Sequence, residues 1–321
     1  MQSRWKRIGF FLIGLLAFIA VAAYGLLDHY KTDLYDGAIA LQQEGAGMQP
    51  HRIQVAGFDW SYLENDLRGQ KPTMVMVHGF GAFKENWLEL ATELKDDFHL
   101  VLVDLPGFGA SSFDPAQPYD IYTQTQRLHA FLAALGVEKF HIVGNSMGGA
   151  IAALYAGNYP DALLSVTLLD PAGVRAVQSD YEKLLQQGKN PLILNDPSEF
   201  DFLVDFAMEK KRFAPWPLSE VSIQKMVDRK DRNQIIFAQV MQHDEVRFKQ
   251  AITQITAPTL IAWGKQDRVI AAGNATEFQR LIPRSQVALL DGVGHVPMME
   301  IPVECAALIR NFTHTSQLPQ S

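Results

Sequence analysis

Hydrophobic and polar positions along this chain follow two rhythms. Six segments carry unbroken apolar cores: TMVMVHG (73–79), HLVLVDLPG (99–107), FHIVGNS (140–146), LSVTLLDPA (164–172), TLIAWGKQD (259–267) and QVALLDGVGH (286–295). Continuous runs of this kind suit parallel strands covered on both faces, whereas a strand with one wet face alternates. Between them, residues near 84–97, 120–135, 147–158, 274–282 and 302–312 read as amphipathic helices, the second stopped by Gly136. Residues 51–66 read as a hairpin with Gly57 in its turn. Strand alternating with helix predicts an α/β fold with a mostly parallel sheet and helices on both faces.

Two intervals break the rhythm. Residues 174–250 hold several helical stretches and no convincing parallel strand, and they are too long for a plain loop. They read as a helical cap laid over the sheet's edge, inserted into a core of 51–173 and 251–315. Residues 8–27 are 20 positions without one charge, and at 1.5 Å per residue they would span about 30 Å, the thickness of a bilayer core.

Arg4, Lys6 and Arg7 precede this segment, and Asp28, Asp33 and Asp36 follow it. The positive-inside rule then places the N-terminus in the cytoplasm and the body on the outer, periplasmic or extracytoplasmic side. A single-pass anchor is the expectation, with 28–50 as a linker or short helix. The alternative is a cleaved export signal, for which Ala20-Val21-Ala22 would serve as the small-residue site and which would release a secreted body.

Charge and cysteine usage narrow the classes further. The 321 residues carry a formal net charge of −7, and the first 27 hold three of the 28 basic groups and none of the 35 acidic ones. The body is therefore more acidic than the whole, and such a surface repels phosphate backbones, which argues against nucleic acid as a partner. Cys305 is the only cysteine, so there is no intramolecular disulfide and no cysteine-rich metal site. Its helical setting, VECAALIRNF, reads as that of a small buried filler.

The candidate chemistry sits where the run FHIVG ends. Gly144-Asn145-Ser146-Met147-Gly148 joins a predicted strand to a predicted helix. Glycines two residues either side remove collisions at a sharp turn, so the serine can adopt a strained backbone and raise its hydroxyl above the sheet. A serine needs a base to take its proton and a carboxylate to hold that base. His295 closes the last strand segment and Asp267 the penultimate one. Asp170, in LLDPAG one strand earlier, is the rival acid, while Asp291 stands too near His295 to partner it comfortably.

An oxyanion needs backbone donors. Met147 follows the serine at a helix start, and Phe80 lies in HGFGAFKENW after the 73–79 segment. Their N–H groups are the candidate pair, with His78 as a brace for that loop.

Together HGFGAFKENW, VDLPGFGASS, GNSMGG, WGKQDRV and GHVPMME resemble the α/β-hydrolase superfamily over roughly residues 50–312. Within it the chain is similar to membrane-anchored monoacylglycerol lipases and bacterial lipases and esterases. The resemblance implies Ser146 as nucleophile, Asp267 and His295 as its partners, Phe80 and Met147 as oxyanion donors, and no metal or organic cofactor. It implies a carboxylic ester hydrolase acting on a small amphiphilic ester, with the bilayer contacted through residues 8–27. A serine at the elbow excludes the epoxide hydrolases and haloalkane dehalogenases, which use aspartate there. GNSMGG also occurs in C–C bond hydrolases of aromatic ring-cleavage products, which stay as one alternative, with a non-catalytic binding protein on the same fold as another. The cap's Phe200, Phe202, Leu203, Phe206, Met208, Phe213 and Trp216 are candidates for an acyl pocket or for the cap's own core.

Overall fold

The computed structural model describes residues 16, 19, 21–211 and 213–316. Eight strands form one sheet: β1 (Met48–Val55), β2 (Phe58–Asn65), β3 (Thr73–Val77), β4 (His99–Val103), β5 (Phe140–Asn145), β6 (Leu163–Leu169), β7 (Thr259–Gly264) and β8 (Ser285–Leu290). Their spatial order is β1-β2-β4-β3-β5-β6-β7-β8. β2 runs antiparallel to both neighbours, and all pairs from β4 through β8 are parallel. The β1–β2 hairpin starts three residues before the segment predicted from 51, and it turns on Ala56 and Gly57, both with positive φ (52° and 81°). Two such residues make the tight turn whose twist matches the strands it joins.

The continuous apolar runs have a direct cause. Along β3, Val75 and Val77 enter the core on one face, while Met74 and Met76 enter the core on the other. Val101 and Val103 against Leu100 and Leu102 repeat this on β4. One face is covered by α2 (Leu88–Leu94) and α12 (Pro302–Thr315), which pack on each other. The opposite face is covered by α3 (Ile121–Ala134), α4 (Met147–Asn158) and α10 (Asn274–Leu281).

Several apolar runs outlast their strands. The 99–107 run leaves the sheet after Val103, and the 286–295 run leaves it after Leu290. Leu105 and His295 beyond these ends are still buried. An apolar run reports burial, and here the loops at the carboxyl ends of the strands are buried too.

Between β6 and β7 come α5 (Asp180–Gln186), α6 (Phe200–Ala207), α7 (Leu218–Val227), α8 (Lys230–Val240) and α9 (Glu245–Ile252). The insertion is helical, with no strand among its described residues. Its last helix packs against α4, and its Phe248 and Ile252 join the main core.

Residues 21–29 are helical, and α1 (Lys31–Gly45) follows in the stretch read as a linker or short helix. This N-terminal part leans on α7: Lys31 pairs with Glu220 at 2.6 Å, Asp36 with Lys225 at 3.7 Å, and Tyr24 stacks on Trp216 at 4.7 Å. The anchor predicted over 8–27 lies for the most part outside the described residues. Among the described residues, no helix is long and apolar enough to cross a membrane.

Candidate active site

β3 has β4 on one side and β5 on the other, so the direction of strand succession reverses there. In open α/β sheets a crevice forms at that point, beyond the carboxyl ends of the strands. Ser146 follows β5 and Phe80 follows β3, so both border the crevice.

The serine backbone is strained, with φ 56° and ψ −119°, a conformation that L-residues seldom adopt. Its N–H donates to the Leu169 carbonyl at 3.0 Å, and its own carbonyl accepts from Ala150 at 3.0 Å and Ala172 at 2.9 Å. The flanking glycines are required by space. A Cβ on Gly148 would collide with the Val77 carbonyl, and one on Gly144 with the Gly148 carbonyl. Strand and helix cross too closely here for any side chain.

His295 and Asp267 meet directly. The imidazole Nδ1–H donates to Asp267 Oδ2 at 2.8 Å, which leaves Nε2 as the ring's free acceptor. Asp267 Oδ2 also accepts from Trp263 Nε1 at 3.2 Å, and its Oδ1 accepts the N–H groups of Val269 (2.8 Å) and Ile270 (3.0 Å). Four donors thus fix both carboxylate oxygens of Asp267 in place. Among the described residues no hydrogen bond joins Ser146 to His295. Asp170, the rival acid, does not bond the imidazole; its Oδ1 accepts the Gly264 N–H at 2.8 Å.

Met147 is the first residue of α4, so its N–H has no acceptor within the helix. The Phe80 N–H likewise has no hydrogen-bond partner among the described residues, and both residues border the cleft that Ser146 lines. His78 braces their loop. Its Nδ1–H donates to the Gly79 carbonyl at 2.8 Å and its Nε2 accepts the Leu105 N–H at 3.1 Å, with burial pushing the imidazole below its ordinary range.

A model of the alpha/beta-hydrolase fold matches residues 72–302. The chain belongs to this family.

This α/β hydrolase is similar to Lipase 1 of Psychrobacter immobilis, with 34% identity over 254 residues, 78% of this chain and 79% of that protein. It is also similar to Monoacylglycerol lipase ABHD6 of Homo sapiens, with 31% identity over 277 residues, 83% of this chain and 82% of that protein. Among solved structures, a membrane phospholipase A superimposes with a TM-score of 0.87 at 38% identity, covering 95% of this chain and 98% of that one.

Ser146 lines an open cleft of about 790 Å³, a volume that includes solvent outside its mouth. Its apolar wall comes from Val174, Tyr181, Leu192, Phe237, Val240 and Met241. None of the seven cap residues named as pocket candidates lines it. Phe206 is buried in a small cluster with Tyr181 and Val269, and Phe202, Phe213 and Trp216 are exposed at 53%, 90% and 38%. Hydrophobicity alone did not say which way each helix turns.

Three further residues hold the site, and sequence reasoning missed them. Asn145 donates from Nδ2 to the backbone carbonyls of Leu169 (3.2 Å) and His295 (3.0 Å), tying the Ser146 turn to the histidine loop. Glu300 accepts the N–H groups of Gly294 (3.0 Å), Val296 (3.3 Å), Glu209 (2.8 Å) and Lys210 (2.9 Å). One buried carboxylate thus clasps both flanks of His295 and the end of α6. Asp104 takes the Lys84 N–H at 2.7 Å and its ammonium at 2.8 Å, pinning the loop that carries Phe80. The only signal for any of them was a polar residue inside a motif quoted for its neighbours.

Proposed function

We propose that this ester hydrolase cleaves carboxylic esters of lipid-like amphiphiles, of the monoacylglycerol lipase or carboxylesterase type, through an acyl-enzyme on Ser146. The observation that supports it most is the Asp267–His295 hydrogen bond at 2.8 Å in a site whose strained serine lines an apolar cleft. Ser146 Oγ attacks the ester carbonyl while His295 Nε2 takes its proton. The N–H groups of Phe80 and Met147 receive the oxyanion. The tetrahedral intermediate collapses by breaking the bond to the alcohol, which leaves with the proton from His295. Water then attacks the acyl-enzyme with the same base, and the acid departs.

The apolar cleft wall favours alkyl chains, because each methylene that leaves water contributes about 0.8 kcal/mol. The lipase names of the relatives point the same way. The uncharged run 8–27 behind Arg4, Lys6 and Arg7 supports a single-pass anchor that holds the body at the outer face of a membrane, near its amphiphilic substrates.

Initial rates on p-nitrophenyl esters from acetate to palmitate, with Ser146→Ala alongside, test this reading. The expectation is a serine-dependent rate that peaks at medium or long chains. A folded protein with no serine-dependent cleavage at any length would overturn it and direct attention to C–C substrates or to binding.

A further inference from the structure

We propose that Asp170 is a neutral carboxylic acid whose Oδ2–H donates to the Asp267 carboxylate, making it a positioning residue for the Asp267–His295 pair. The role rests on the proposed reading of that pair as the working acid and base; the placement of the proton does not.

Asp170 follows β6, Asp267 follows β7 and His295 follows β8, and one polar side-chain atom from each lies within 4.8 Å of the other two. Asp170 is fully buried. Its Oδ1 accepts the Gly264 N–H at 2.8 Å, whereas Oδ2 is buried with no hydrogen-bond partner among the described residues. A bare carboxylate oxygen in that position is costly, because nothing replaces the water it gave up.

Two carboxylates this close cannot both be ionised in a dry interior. Asp267 has four donors, the imidazole among them, and Asp170 has one. The charge therefore settles on Asp267 and the proton on Asp170. Oδ2 is the oxygen without a donor, so it is the one that takes the proton and turns from an unpaired acceptor into a donor.

The other groups facing Asp170 agree with this. Glu300 in α11 (Pro297–Glu300) adds negative charge, and Cys305 on α12 is a fully buried thiol. Among the described residues no lysine or arginine pairs with Asp170. Burial first, and the Asp267 charge second, push its carboxyl well above the usual carboxylate range. The backbone at Asp170 has φ 48°, which asparagine tolerates better than most residues.

The consequence for Asp267 is a spread of its charge over one more donor. Its pull on the imidazolium is moderated, and its orientation is held by one more partner.

Asp170→Asn mimics the neutral acid, offering an amide N–H to Asp267 and a carbonyl to Gly264. Asp170→Leu has similar bulk and no donor. Difference infrared spectra of wild type against Asp170→Asn at neutral pH should contain the carbonyl stretch of a protonated carboxylic acid, lost in the variant. Thermal melts give an independent reading. Wild type must keep a proton on Asp170 in the folded state above about pH 3.9, where the unfolded chain releases it. Its stability therefore falls with rising pH, and the Tm advantage of Asp170→Asn should grow from about pH 4 upward.

In ester turnover, Asp170→Leu should lose roughly tenfold in kcat and move the acid limb of the pH profile upward, as His295 faces a more concentrated charge. Asp170→Asn should recover most of that loss with the acid limb at its wild-type position. Absence of the acid band, or an acid limb that Asp170→Asn moves downward as removal of a negative charge would, overturns the proposal. A loss near 10⁴ in Asp170→Asn would instead make it the acid partner of His295. If Asp170→Leu does not fold, the infrared and melting data on Asp170→Asn decide. Ester cleavage that persists in Ser146→Ala would sink the functional reading alone.

Discussion

The turn around Ser146 and the helical insertion above it are built on opposite terms. In α4 every residue from Met147 to Ala156 is buried, and the glycines beside the serine have no room for a methyl group. In α7 only Val221 is buried, and in α8 only Asn233 and Ile236. α7 is held partly by surface ion pairs to α1, which contribute little each. Ser146 is thus mounted where backbone, sheet and helix leave little freedom. Phe237 and Val240 of the cleft wall stand on α8, a helix with a light core. Tight packing transmits small displacements, and precise catalysis needs that, whereas substrate choice tolerates a surface that can change.

If that contrast holds, substitutions should grade from the elbow outward. Asp267→Asn should lower kcat by about 10⁴ with little loss of fold, because the amide leaves the imidazole in the wrong tautomer. Steady-state rates beside a thermal melt check this, and a mild effect would place the acid elsewhere. Phe237, on the cleft wall against Phe80 and Tyr181, should affect choice instead of chemistry. Phe237→Ala should reduce kcat/KM on long-chain esters by roughly tenfold to a hundredfold, with short-chain esters changed by no more than about threefold. Equal losses at all lengths would mean that the cap also shapes the reacting centre. The smallest effect belongs to the outer contact. Lys31→Ala, which breaks the pair with Glu220, should shift stability by less than about 1 kcal/mol and leave turnover unchanged. A larger change in a denaturant titration would show that α1 and α7 act as one unit.

The same contrast explains what could be read from the residues in order. GNSMGG was legible because steric demand at a strand–helix crossing admits few residue types, and the collisions at Gly144 and Gly148 are that demand made visible. The choice between Asp170 and Asp267 was not closed by the sequence, since both end a strand in the same manner; the Nδ1–Oδ2 bond separates them. Glu300 and Asn145 were illegible because their partners are backbone groups far away in the chain, and a backbone N–H leaves no mark on the sequence. The cap aromatics were left open between pocket and cap core for a related reason. A helical period says that one face is apolar, but it does not say whether that face meets the cleft, the helix's neighbour or the surface.

Local demands were therefore settled by the sequence itself: parallel strands from unbroken apolar runs, a tight strand–helix turn at Ser146 from its glycines, a family from five ordered motifs, a bilayer-length run from its lack of charge. Each depends on interactions among residues close in the chain or on total burial. Partnership was decided only by the tertiary structure. Asp267 meets His295, Glu300 clasps the histidine loop to the insertion, and Phe237 forms the cleft while Phe213 faces solvent, because strand order and helix rotation set which distant groups come within hydrogen-bond or van der Waals reach.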